Sequence, residues 1–295
     1  MLAQPLPSTV EVRRALDVSP RQLSRDLARC FSGYAVPVTD DAEHLAGRLR
    51  REHVGLGRSF ELWDQDRLGA VVLVARRGAT ARIAGMGAPP EARGRGWGRR
   101  ALELAVNEAR SHGERLVLEV LQDNSAAIRL YESFGFRRQG QLLGHRCPVD
   151  AWEGPTGGRA DLGVRQVEPA EVAGQMASTG ADLSWQLEPA TLAGLTHPWC
   201  GWAAGKAVAI GRRRGDVIEL WALVCGTEDR RQGHARRLLE GMVTHHRRSG
   251  GQVREFQIPS LLPQGTAQEF LRRVGFMPVA TRQWQMVLEP TSHGI

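Results

Sequence analysis

A chain of 295 residues, 42% apolar and 24% charged, has room for two ordinary domains that can each bury a core. It carries neither the roughly 18 uninterrupted apolar residues of a membrane span nor the basic-then-apolar start of a signal peptide, so the expected location is cytoplasmic. The formal charge of +7 is almost all arginine (Lys206 is the only lysine), and its basic runs, Arg93–Arg100, Arg212–Arg214 and Arg230–Arg237, suit a few phosphates better than a duplex, which disfavours a nucleic-acid partner.

In chain order, Val12-Arg13 opens a short strand, and two helices are expected on either side of the turn-rich Phe31–Pro37. Ala70 to Arg76 and Thr80 to Gly87 read as neighbouring strands joined by a turn at Gly78. Pro89-Pro90 ends the second, and the glycine- and arginine-rich run from Arg93 to Gly98 follows. Ala101, Leu102, Ala105, Val106 and Ala109 then share one helical face, stopped by Gly113. Leu116 to Leu121 is a central strand, apolar on both faces except for Glu119. Asn124 to Phe134 forms another amphipathic helix, ended by Gly135.

The same order recurs downstream. Val164-Arg165 opens a strand, Val217 to Val224 is another, and Thr227 to Gln232 is a loop. Ala235, Leu238, Leu239 and Met242 make a helix face, stopped at Gly250-Gly251, and Val253 to Ile258 is the next strand. Arg93-Gly94-Arg95-Gly96-Trp97-Gly98 and Arg230-Arg231-Gln232-Gly233-His234-Ala235 both fit R-x-x-G-x-(G/A), and Ser133–Phe136 is echoed by Arg273–Phe276. A repeat of half the chain is a domain duplication. The Gly/Pro-rich stretch Glu153–Gly158 falls between the copies, so the expected domains are residues 1–152 and 162–295, with a linker at 153–161.

A glycine turn entering a helix gathers free backbone N–H groups at the positive end of the helix dipole, and so binds phosphate. Arg93, Arg95, Arg99 and Arg100 add attraction for a ligand with several negative charges. The Gly-Lys-Ser/Thr of a Walker loop is absent. A dinucleotide fingerprint begun at Gly94 would need glycine where Arg99 stands. Cys30, Cys147, Cys200 and Cys225 lie far apart, form no C-x-x-C pair and read as core residues, and His245-His246 lack partners at ligand spacing, so no metal is expected.

The stretch Gly87 to Gly98 resembles the acetyl-CoA motif of the GNAT superfamily of N-acetyltransferases. Leu118-Glu119-Val120 followed by Asn124 to Phe136 resembles its second signature. The likeness runs from about Ile83 to Phe136 in the first copy, and in the second mainly from Glu219 to about Leu239. Tandem members of the superfamily exist, in which both halves need not catalyse. The resemblance implies an α/β (α+β) fold of two tandem GNAT-like domains, each with a mixed sheet flanked by helices, whose fourth and fifth strands splay around acetyl-CoA. Amides of Met86, Gly87 and Ala88 would hold the pantetheine and thioester. Those of Gly94, Arg95, Gly96, Trp97, Gly98 and Arg99, with Arg93 nearby, would take the pyrophosphate, and Asn124 would contact the pantetheine arm.

The implied reaction is direct attack of a primary amine, on a small molecule or peptide, upon the acetyl thioester in a ternary complex. An alkyl ammonium with a pKa of about 10 must lose a proton, and the departing thiolate benefits from a donor. Glu119, desolvated on its strand, is the candidate base, its alternative being a salt bridge to an arginine; Tyr131 is the candidate acid. Their 12-residue spacing resembles that of ribosomal-protein alanine acetyltransferases. Tyr34 is a candidate for acceptor contact or for core packing.

Aligned without gaps from Gly275, the second copy has Pro259, Gln264 and Leu271 at the places of Glu119, Asn124 and Tyr131. Catalysis is therefore expected in the first domain. Two alternatives stay open: a second-domain site using Glu219 as base, and a non-catalytic acyl-CoA-binding regulator.

Overall fold

The computed structural model describes residues 10–34, 38–149 and 163–290. The expected linker at 153–161 lies outside them. The chain divides into two compact units, residues 1–139 with 285–295, and residues 140–284. By this division the described residues from 140 fall in the second unit and residues 285–290 in the first.

In the first unit, β1 (Glu11–Arg14) leads to α1 (Pro20–Cys30) and α2 (Ala42–Arg51). Ser19 caps α1 by accepting the Gln22 N–H, with Pro20 in the first turn, and Asp41 caps α2 by accepting the amides of Glu43 and His44. The strands β2 (Phe60–Asp64), β3 (Arg67–Arg77) and β4 (Thr80–Gly87) form an antiparallel meander that continues from β1. The helix α3 (Trp97–Ser111) then crosses to β5 (Arg115–Leu121), which runs parallel to β4, and α4 (Ser125–Ser133) follows. The strand order is β1-β2-β3-β4-β5. β3 is buried from Leu68 to Ala75, as a central strand covered on both faces must be.

One contact fixes the start of α3. A Cβ added at Gly69 of β3 would fall inside the Trp97 indole, so only glycine lets that buried ring lie on the strand. The α3 face of Ala101, Leu102, Ala105, Val106 and Ala109 is buried as its spacing requires.

The second unit repeats this order. β6 (Arg137–Pro148) enters it at residue 140, and β7 (Arg165–Val167), α5 (Pro169–Ala177) and the short α6 (Pro189–Leu192) follow. β8 (Cys200–Ala204), β9 (Ala207–Arg214) and β10 (Val217–Cys225) form the meander, α7 (His234–Arg248) crosses to β11 (Glu255–Pro263), and α8 (Gln268–Arg273) and β12 (Met277–Leu288) follow, β12 leaving the unit after residue 284. The strand order is β6-β11-β10-β9-β8-β7, with β6 antiparallel to β11. One apolar cluster joins α7 to this sheet through Leu238, Leu239, Met242, Ile218 and Phe256, and another gathers under α5 around Val172, Ile210 and Leu192. No helix among the described residues is long and apolar enough to cross a membrane.

Candidate active site

β4 and β5 pair only at Thr80–Arg115, Ala81–Leu116 and Arg82–Val117. Beyond Arg82 and Val117 they part, so β4 from Ile83 to Gly87 has no β5 partner. A bulge in the β3–β4 ladder at Ala84 turns the strand at this point. The Arg48 guanidinium of α2 hydrogen-bonds the Ala84 carbonyl, holding the bulge. The expected splay is present, and Met86, Gly87 and Ala88 lie along its open edge.

The turn after β4 has Gly94 at φ 75° and Gly96 at φ 89°, both in the left-handed region that glycine enters without strain. Gly96 caps α3, and the first bond of the helix ladder runs from the Arg100 N–H to the Gly96 carbonyl. The amides of Trp97, Gly98 and Arg99 thus stand at the free N-terminus of a 15-residue helix. An added Cβ at Gly94 meets nothing within 4 Å, which leaves the turn open to a ligand. Gly98 lies against Leu130, close enough to set α3 beside α4. This combination of open β4 edge, glycine turn and helix end can hold a diphosphate at the turn and an extended chain along the strand.

The arginines divide by role. Arg93 does not reach into the turn: its guanidinium donates to the carbonyls of Ala88 (3.1 Å), Cys30 (3.1 Å) and Ser32 (2.7 Å). It therefore ties the end of β4 to the end of α1, where Cys30 packs closely on Gly87: an added Cβ would sit 3.2 Å from the Cys30 Cβ and carbonyl oxygen. Arg95 is exposed, and Arg99 lies 4.9 Å over the Phe134 ring and 3.3 Å from the Ser133 hydroxyl, at the α4 side of the turn.

Asn124 caps α4 by accepting the Ala127 N–H, and its side chain stands beside Tyr34. Tyr34 packs edge-on against Phe31 at 5.6 Å, and burial raises its pKa. Tyr131 is 7% exposed, tilted against Phe136 at 5.8 Å. Burial, with a smaller contribution from Tyr34, holds its phenol well above the usual range, so it stays protonated at neutral pH. The structure thus brings Tyr34, Asn124 and Tyr131 together from two elements distant in sequence.

Glu119 is buried, as its strand position suggested, but paired. Its Oε2 accepts from Arg82 Nε at 2.8 Å and Nη2 at 2.7 Å, and Arg82 also donates to Glu52 at 2.9 Å. Arg48 reaches Glu52 at 3.1 Å. The side chains of Arg82, Glu52 and Glu119 are 3%, 5% and 4% exposed. Burial pushes Glu52 up, but Arg48 and Arg82 outweigh it and the carboxyl ends below its usual range. Of the two sequence readings of Glu119, the geometry is that of the salt bridge. The signal for it was visible: Arg82 in β4 and, past the first residue Arg115, Glu119 in β5 are lone charges of opposite sign among apolar neighbours.

A second acidic pair went unread in the sequence. Glu61 on β2 and Asp26 on α1 are both fully buried, with Trp63 Nε1 donating to Glu61 at 3.0 Å. Burial, then the nearby Asp26, raises Glu61 to about 7. Among the described residues, no three His, Cys, Asp or Glu side chains gather to hold a metal ion.

The second unit copies the backbone and alters the chemistry. β10 and β11 pair only from Val217–Glu255 to Glu219–Gln257, and a bulge falls at Trp221, 137 residues after Ala84. Gly233 caps α7 at φ 79°, and Arg231 occupies the left-handed position of Gly94 at φ 65°. Glu219 stands where Arg82 does, bound by Arg212 at 2.7 Å and by Trp221 Nε1 at 2.9 Å. α8 has six residues against nine in α4, its cap Ala267 offers no side-chain bond, and Leu271 replaces the tyrosine.

Residues 21–136 match the model of the acetyltransferase (GNAT) family. No curated protein matches the chain. Solved structures do. A GCN5-related N-acetyltransferase from Sphaerobacter thermophilus is 16% identical, with 96% of each chain covered and a TM-score of 0.63. A tandem GNAT protein from the clavulanic acid biosynthesis pathway is 16% identical over 95% of this chain and 98% of its own, with a TM-score of 0.67. A GCN5-related N-acetyltransferase from Kribbella flavida is 16% identical over 95% and 70%, with a TM-score of 0.63. At these identities the likeness is one of fold, and it extends over both units.

Proposed function

We propose, from the match of residues 21–136 to the acetyltransferase (GNAT) family model, that the first unit transfers acetyl from acetyl-CoA to a primary amine within a ternary complex. Acetyl-CoA supplies an activated acyl thioester. The observation that carries the reading is the coincidence of the β4–β5 splay with a two-glycine turn at the free end of α3. Amides from Gly94 to Arg99 are assigned to the pyrophosphate, and the open edge from Met86 to Ala88 to the pantetheine and the acyl carbonyl. Arg93 acts at one remove, by fixing where α1 ends and so where Tyr34 stands.

Tyr131 is assigned as the hydrogen-bond donor to the leaving thiolate, a role its burial favours by keeping the hydroxyl protonated. Glu119 is given a positioning role. Taking the amine's proton would cancel one of the two carboxylates that balance Arg82 in a buried site, which is costly. A water relay at the mouth of the splay then removes the proton. Glu219 meets the same objection through Arg212, and Leu271 stands at the place of Tyr131, so the first site is preferred.

The test is Tyr131→Phe, which deletes one hydroxyl. Acetyl-CoA affinity should stay within about twofold while turnover, read as free coenzyme A released over a panel of amines, falls on the order of 10²-fold. Turnover equal to the parent's would remove Tyr131 from the chemistry.

A further inference from the structure

The second unit contains a cavity of about 310 Å³ under α8, walled by β6 and the start of β12, in the size range of small-ligand sites. It lies where the second signature departs from the first: α8 has six residues against nine in α4, and Leu271 stands at the place of Tyr131. Leu271 and Phe276 give it an apolar wall, while Arg272, Arg282 and Gln264 line it with donors and no carboxylate does. His145 on β6 also lines it, 6% exposed, with no hydrogen-bond partner for its Nδ1. A buried imidazole nitrogen without a partner, on a residue that lines a cavity, calls for a polar group nearby. Burial lowers the His145 pKa, so the ring is neutral and offers one donor and one acceptor.

We propose that this cavity binds a small organic carboxylate, its anion on Arg272 and Arg282, its apolar body on Leu271 and Phe276, and a polar atom of its body on His145. Glu269 holds Arg272 only loosely, at 3.4 Å to both oxygens on the exposed side, so that guanidinium can turn to a ligand. The site is separate from the glycine turn of the first unit and stands whether or not that unit catalyses.

Calorimetry on the full chain tests it with phenylacetate, isovalerate and hippurate, and with phenylacetamide and phenethylamine as uncharged and cationic counterparts. At least one carboxylate should bind saturably with Kd below about 1 mM, and tenfold or more tighter than its amide. Arg282→Gln should weaken it about tenfold without changing the melting temperature, since this exposed arginine supports no core contact. Leu271→Trp should fill the cavity and abolish binding, and Gly96→Glu should leave it intact. His145→Leu should weaken binding while raising the melting temperature, because it removes an unsatisfied buried polar group. No saturable binding of any carboxylate at about 10 mM overturns the proposal, since it leaves the cavity to water. Equal binding of acid and amide, or carboxylate binding indifferent to both Arg282→Gln and Leu271→Trp, overturns it as well.

Discussion

Replacing Arg82 by Met would leave Glu52 and Glu119 buried in the first unit with their shared counter-ion gone. In the parent, two arginines and two glutamates balance: Arg48 pairs with Glu52, and Arg82 with both Glu52 and Glu119. Breaking one buried pair typically costs about 3–5 kcal/mol, because the orphaned charge keeps its desolvation penalty. Glu119 has 4% of its side chain exposed, so it cannot recover that penalty from water in place. The double change Arg82→Met with Glu119→Leu restores neutrality, since Arg48 and Glu52 remain paired. It should therefore be less destabilised than Arg82→Met alone, with a coupling of about 2 kcal/mol or more between the two positions. Urea titration of the full chain, with hydrogen exchange read on peptides covering β4 and β5, reports the stability of the unit concerned. Additive losses in the double variant, or a loss under about 1 kcal/mol for Arg82→Met, would refute the network as an energetic unit, and with it the reason for denying Glu119 the proton.

Two further predictions concern the scaffold. Gly69→Ala drives a methyl into the Trp97 ring and should cost about 1–3 kcal/mol or more. It should also weaken acetyl-CoA binding, since Trp97 is the first residue of α3; melting curves and calorimetry read both, and a neutral outcome would mean the indole can move. Glu61, raised to about 7 from 4.5, holds its proton more tightly folded than unfolded. Its contribution is thus fully present below about pH 4.5 and lost as pH rises through 7, on the order of 3 kcal/mol. Glu61→Gln, which can still accept from Trp63, should flatten the fall in melting temperature between pH 5 and 8; an unchanged slope would remove Glu61 as its source.

Much of the core of each unit could be read from local pattern. β4, α3, β5 and α4 fell where apolar periodicity and the stops at Gly113 and Gly135 put them, because both faces of that sheet are covered and the helices need one apolar stripe each. What escaped depends on partners far along the chain. Nothing local marks residues 140–148 as pairing with β11 in the register Phe256–Cys147, which places them in the second unit. The union of Arg82 with Glu119 needed the β4–β5 register, although each lone charge was visible. Arg93 looked like a phosphate ligand because its motif says so, and only the nearness of Cys30 and Ser32 carbonyls assigns it to the scaffold. Tyr34 was a residue with two readings until Asn124 appeared beside it.

The central claim is that the glycine turn of the first unit, and not its copy, holds acetyl-CoA. Gly96 and Gly233 both cap their helices in left-handed conformations, at φ 89° and 79°, so Gly96→Glu and Gly233→Glu impose matched backbone strain and differ in which turn receives the carboxylate. Calorimetric titration of the full chain with acetyl-CoA, on variants shown to be folded by circular dichroism, compares them directly. Gly96→Glu should abolish binding, and Gly233→Glu should leave the parent's affinity within about twofold, a difference below 0.5 kcal/mol. Binding lost in Gly233→Glu and kept in Gly96→Glu would contradict the account and move the site to the second unit.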